Sequence, residues 1–108
     1  MKLMMNKHAA IALAWIGAGS LGAGGDAFAI DLMRGQRVYN THCAACHGMN
    51  GIPVIPQAPS FAAKERLMQP DLQLMQSVKM GKTVMPPFMG ILRDEEILDA
   101  LQYARMLR

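Results

Sequence analysis

The residues best suited to chemistry lie in one short segment, THCAACHGMNG, residues 41–51. It contains the only two cysteines of the 108-residue chain, Cys43 and Cys46, and His47 directly follows the second. Two cysteines at this spacing can form a disulfide, act as a redox-active dithiol, ligate zinc or attach a haem. Each of these four chemistries needs different supporting residues, so the rest of the chain decides among them.

Three of the four lack that support. A structural zinc site needs four ligands, and the remaining candidates, His42 and His47, are too close in sequence to complete a tetrahedron. A thioredoxin-like dithiol belongs to a βαβ context, and the chain has no convincing strand pattern. A disulfide between Cys43 and Cys46 closes a trivial loop and stabilises little. Haem attachment fits, because CxxCH supplies two thiols for the haem vinyl groups and His47 as the proximal iron ligand.

A second iron ligand is expected within KMGKTVMPPFMG, residues 79–90. A methionine thioether is a usual partner of histidine at electron-transfer haems. Met85 precedes Pro86 and Pro87, which exclude a regular helix there and stiffen the loop. We therefore predict Met85 as the second ligand, with Met89 as the competing candidate.

These residues resemble the class I c-type cytochromes, in particular the small bacterial monohaem kind. The resemblance covers nearly all of the chain after residue 34 and rests on these features: Gly35, Tyr39, the segment 43–48, Pro59, Met85-Pro86-Pro87-Phe88, and DEEILDALQYARML at 94–107. It implies an all-α fold of three main helices and loops around one haem c, attached through Cys43 and Cys46, with His47 and Met85 as metal ligands. In that family a proline carbonyl orients the proximal histidine. Pro59 is the best match, and Pro56 is the alternative.

Two of the three helices must position the attachment motif. The first is predicted from about Asp31 to Cys46. It contains Gly35, which costs helix stability and so indicates close contact with another helix. The last begins near Asp94, and its first turn is acidic, as the helix dipole favours. Its cap is either Arg93 or Asp94. Tyr103 is expected to lie against the first helix.

The middle helix and the following loop present the second ligand. Hydrophobic spacing predicts this helix over about Pro70 to Met80, with Gly81 ending it. Its inner side is expected to carry Leu72, Met75 and Val78. An apolar group is expected at the haem edge, either as an exposed rim or simply as a cover over the haem: Ile52, Pro86, Pro87, Phe88 and Met89. Lys79 and Lys82 flank the loop.

The N-terminal residues predict export. Lys2 and Lys7 precede an uncharged apolar run, and Ala27-Phe28-Ala29 offers small residues at the cleavage site, so we predict a secretory signal peptide over residues 1–29. The cytochrome domain then spans residues 30–108. Its net charge falls from +3 to +2, because two lysines and Asp26 leave. It has no dense basic stripe of the nucleic-acid-binding type.

The sequence thus predicts a periplasmic electron carrier with redox-protein donor and acceptor, no nucleic-acid partner, no membrane span after signal cleavage, and a monomeric state. No paired-carboxylate or Ser/His/Asp arrangement is present, so an enzyme is not expected. Two alternatives stay open. One is an accessory or assembly cytochrome for a partner haem enzyme. The other is a ligand-binding sensor in which Met85 is displaced.

Overall fold

The computed structural model describes residues 29–108. Except for Ala29, the predicted signal peptide lies outside the described residues. Four helices follow in order: α1 (Leu32–His42), α2 (Ala44–His47), α3 (Asp71–Met80) and α4 (Asp94–Ala104). Within residues 29–108 the backbone forms no strand, only one isolated bridge between Lys82 and Met85. The prediction of an all-α fold is confirmed.

The first helix is shorter than predicted. Asp31 begins α1 by accepting the backbone N–H of Arg34 at 2.9 Å, and the helix ends at His42. Cys43, with φ −115° and ψ −36°, separates α1 from α2, and α2 carries the rest of the attachment motif. The prediction of one continuous helix through Cys46 was therefore wrong.

The crossing of α1 and α4 holds the two ends of the domain together. A Cβ atom added to Gly35 would lie 2.2 Å from the backbone oxygen of Asp99, which confirms the predicted close approach. Beside this crossing the Asp99 carboxylate, 1% exposed, accepts the Asp31 N–H at 2.9 Å and pairs with Arg34. Tyr103 packs on Tyr39 of α1, with ring centroids 5.4 Å apart, as expected.

The caps of α3 and α4 follow from local chemistry. Pro70 precedes α3, and Gly81 ends it with φ 75°, a conformation that favours glycine. Arg93 occupies the N-cap position of α4, and its backbone N–H donates to the Glu96 carboxylate at 3.3 Å. The boundary at Asp94 is as predicted.

The structure corrects one predicted side-chain placement and decides another. Leu72 is 79% exposed, whereas Leu74 is buried in the core and Met75 and Val78 pack against it. Apolar residues lie on both faces of α3, so this helix is only weakly amphipathic. Phe88 is also buried rather than part of an exposed rim. Throughout the described residues, no helix combines the length and apolar character that crossing a membrane requires.

Candidate haem site

Cys43 lies between α1 and α2, and Cys46 lies within α2. Each is half-buried and has a free thiol. Burial raises the pKa of the Cys43 thiol to about 11, with a smaller contribution from neighbouring Cys46. At neutral pH the Cys43 sulfur of the folded chain therefore keeps its proton.

His47, the last residue of α2, is buried and faces the loop that contains Pro59. Its Nδ1 lies 3.4 Å from the Pro59 carbonyl oxygen. Burial lowers the pKa of His47, and the hydrogen bond to the Pro59 carbonyl partly opposes this. The neutral imidazole is the metal-ligating form, and an Nδ1–H that donates to a carbonyl leaves Nε2 as the free electron pair. The Pro59 carbonyl thus lies within reach of His47 Nδ1, and its role in orienting an iron ligand stays a prediction.

The turn after the motif is fixed by glycine. Gly48 has φ 81°, and a Cβ atom there would lie 1.9 Å from the Ile52 carbonyl oxygen. The carbonyl of Gly48 accepts the Tyr39 hydroxyl at 2.7 Å, in a fully buried position. Burial raises the pKa of Tyr39 to about 12, so the phenol stays protonated and remains a donor.

The loop that presents Met85 folds back on α3. Lys82 and Met85 exchange two backbone hydrogen bonds, of 3.0 and 2.6 Å. The N–H groups of Phe88 and Met89 each donate to carbonyls near the end of α3 at 3.1 Å. Met85 is half-buried and packs against the core, whereas Met89 is 57% exposed.

These elements converge on one apolar cavity of about 40 Å³. Cys43, His47 and Met85 all contribute to its wall, and Met89 does not. The other lining residues are Tyr39, Phe61, Val78, Leu92, Ile97, Ala100, Leu101 and Ala104. An imidazole and a thioether in an apolar wall, beside a thiol, form the donor set that a covalently held haem requires.

Several contacts around the site carry no clear signal in the sequence. The Phe61 ring stacks on His47 with centroids 4.3 Å apart and planes 12° apart. Phe61 follows Pro59 by two residues in an irregular loop, where hydrophobic periodicity gives no information about contacts.

The sequence does contain a signal for the buried Asp99. A carboxylate among Leu98, Ala100 and Leu101 on an amphipathic helix indicates a buried, paired charge. His42 is exposed and meets Phe88 edge-on at 5.9 Å.

Comparison with known proteins finds similarity to cytochromes. Residues 31–103 match the family model described as cytochrome C oxidase, cbb3-type, subunit III. Cytochrome c6 of Pyropia yezoensis is 38% identical over 79 residues, covering 71% of this chain and 72% of the relative. Cytochrome c6 of Thermosynechococcus vestitus is 40% identical over 81 residues, covering 71% and 70%.

Solved structures show the same similarity. Cytochrome c6 from the diatom Phaeodactylum tricornutum superposes with a TM-score of 0.57 at 33% identity, covering 68% of this chain and 90% of that one. A c-type cytochrome named KustC0563 gives a TM-score of 0.59 at 28% identity, covering 66% and 93%.

The fold and the attachment motif define a c-type cytochrome. More particularly, the chain belongs to the class I family of small monohaem cytochromes c. Its cofactor is covalently bound haem c, and Cys43 and Cys46 occupy the two cysteine positions of the CxxCH motif. It is an electron-transfer protein, not an enzyme.

Proposed function

We propose that this protein carries single electrons between larger redox proteins in the periplasm, through a haem ligated by His47 and Met85. The observation that supports this most directly is the convergence of Cys43, His47 and Met85 on one apolar cavity. When bound, haem supplies an iron that alternates between two oxidation states. The protein residues hold that centre in place and exclude water from it.

Each residue contributes a distinct part of this role. Cys43 and Cys46 make the attachment permanent, which suits an exported carrier. His47 and Met85 would both ligate the haem iron, which would then supply electron transfer rather than binding of a small substrate. Pro59 orients the His47 ring through its carbonyl. The backbone hydrogen bonds between Lys82 and Met85 hold the methionine loop, which limits its rearrangement when the charge changes.

The partner surface follows from exposure and charge. Ile52 and Met89 are exposed and lie beside the motif and the methionine loop. Lys79 pairs with Asp94 at 2.9 Å and so is largely neutralised. Lys82 has no ion pair within residues 29–108 and remains the free cation of this loop. An acidic partner would therefore be attracted electrostatically to Lys82 rather than to Lys79.

The optical spectrum tests the ligand assignment. The protein is matured in a host with c-type haem machinery as wild type, Met85→Ala and the matched control Met89→Ala. We expect the weak red band of oxidised His/Met haem in wild type and Met89→Ala, and its loss in Met85→Ala. Retention of the band in Met85→Ala, or its absence from wild type, would contradict His47/Met85 ligation.

The family description gives one reason to keep a second function. It names a subunit of an oxidase, which corresponds to an accessory cytochrome that works within a larger complex. Affinity-tagged, haem-loaded protein isolated from the native membrane and soluble fractions separates the two roles. A carrier is recovered alone and mainly in the soluble fraction, whereas an accessory subunit is recovered in fixed ratio with a larger haem protein.

A further inference from the structure

One contact at the site is not required by haem attachment or by iron ligation. Phe61 and His47 lie face to face, with ring centroids 4.3 Å apart and an angle of 12° between planes. In the other aromatic pairs of the described chain the planes are inclined by 54–82°. The parallel arrangement therefore belongs to the pair that contains the proximal histidine.

The hydrogen bond to Pro59 leaves one motion of His47 open. At 3.4 Å the distance from Nδ1 to the carbonyl oxygen is longer than the usual 2.9–3.0 Å of a protein hydrogen bond. Such a single contact restrains the ring at one atom. Rotation about the bond between Cβ and the imidazole, which is a broad torsion for aromatic side chains, is restrained only weakly by it. A flat surface against the ring face blocks that rotation directly.

Phe61 is itself held in place by the surrounding loop. The ring centroid of Tyr39 lies 6.3 Å from that of Phe61. The neighbouring N–H of Ala62 donates to the Gly51 carbonyl at 3.1 Å. The Tyr39 hydroxyl in turn fixes Gly48, which follows His47 directly. Tyr39 thus contacts the chain on both sides of the stack, through its ring at Phe61 and through its hydroxyl at Gly48, next to His47.

We propose that Phe61 is a positioning residue for His47. Its ring face fixes the rotation of the proximal imidazole about the bond to Cβ, and Tyr39 holds the Phe61 ring in place. The proposal rests on the proposed function, because it takes His47 as the iron ligand. The setting of the imidazole plane matters chemically, since it determines the direction in which ligand electrons overlap with the iron. It also sets the magnetic axes of the oxidised centre.

Proton NMR of the haem-loaded, oxidised protein reads this setting directly, because the shifts of the haem methyl groups depend on the axial ligand planes. We compare Phe61→Leu, which removes the flat face, with Phe61→Tyr, which restores it. The control is Tyr103→Leu, which removes a ring from the same cluster without touching His47. We expect Phe61→Leu to shift the methyl resonances well beyond any change in Tyr103→Leu, and Phe61→Tyr to return them to the wild-type pattern.

Two further measurements, a nuclear Overhauser contact and the red optical band, make the test decisive. In reduced wild-type protein, a nuclear Overhauser contact between the Phe61 and His47 ring protons is expected whether or not any variant matures. Its absence would overturn the proposal, as would wild-type methyl shifts in Phe61→Leu or equal shifts in Tyr103→Leu. The red optical band distinguishes failure of the positioning proposal from failure of the iron-ligand assignment. If wild type shows it and Phe61→Leu has no effect on the shifts, positioning fails but ligation stands; if wild type lacks it, the ligand assignment fails.

Discussion

Substituting Gly35 by alanine should destabilise the domain although it improves the helix. The added Cβ would lie 2.2 Å from the Asp99 backbone oxygen, against a lower limit near 3.0 Å for real contacts. The crossing of α1 and α4 must therefore open by at least 0.8 Å (3.0 minus 2.2 Å). The obstacle is backbone, so no side-chain rotation can relieve it.

The magnitude follows from three contributions. Replacing glycine within a helix gains about 1 kcal/mol. Overpacking of a close contact costs about 1–3 kcal/mol, and a backbone obstacle places Gly35 near the upper end. Opening the crossing also lengthens the charge-assisted bonds to Asp99, each of which contributes about 1.5–3 kcal/mol, so a partial loss of about 1 kcal/mol is reasonable. The expected net loss is about 3 kcal/mol.

Denaturant unfolding of the haem-loaded protein, followed by far-UV circular dichroism, measures this loss. For a domain of this size, about 3 kcal/mol corresponds to a fall in Tm of roughly 12–24 °C. The control is the pair Gln36→Gly and Gln36→Ala, at an exposed position of the same helix, which isolates the helix-propensity gain. If Gly35→Ala is as stable as wild type, or gains the same free energy as the control pair, the steric argument is wrong.

Three further predictions concern charge and turn geometry. Asp99→Asn should lower the free energy of unfolding by about 3 kcal/mol, because it breaks a buried ion pair. Its control, Asp94→Asn at an exposed ion pair, should lower that free energy by less than about 1 kcal/mol. Chemical denaturation measures both. The backbone N–H of Arg34 chiefly lowers the pKa of Asp31, so the ionised carboxylate adds stability that is present above pH 4 and lost as the pH falls through the lowered value. Asp31→Asn should therefore be less stable than wild type at pH 7, and acid titrations should show the difference shrinking as the pH falls below about 4, the ordinary aspartate value. Gly48→Ala should yield little haem-loaded protein in maturation assays, because its Cβ would collide with backbone at 1.9 Å.

Each of these has an outcome that contradicts it. Equal losses in the two aspartate variants would mean that burial of the Asp99 pair carries no extra free energy. A wild-type advantage over Asp31→Asn that does not shrink as the pH falls would show that the cap does not act through ionisation. Normal haem loading in Gly48→Ala would show that the turn after His47 can take another conformation.

The features that sequence reasoning predicted well are those with a local chemical cause. Gly35 in an otherwise regular helix indicated a close approach, and Gly81 after a run of helix formers indicated an end. The acidic first turn of α4 marked its start within one residue. The all-α class followed from these patterns together with the CxxCH motif and the family resemblance.

The features that were missed depend on contacts between distant segments. The helix break at Cys43 has no proline or glycine to mark it in the sequence. Lys64 and Arg66 both adopt positive φ, 62° and 67°, in the loop that contains Phe61. Non-glycine residues rarely take this conformation without tertiary support, so the path of this loop, and with it the stack on His47, could not be predicted from sequence.

The packing of α1 against α4 also has a consequence in time. The contact between Asp31 and Asp99 joins residues 68 positions apart, so α1 acquires its partner only when the final helix exists. Until α4 packs on α1, the attachment cysteines belong to a chain that has not closed. The order of the helices therefore leaves the thiols accessible before the domain folds around them, and the last helix ends that interval.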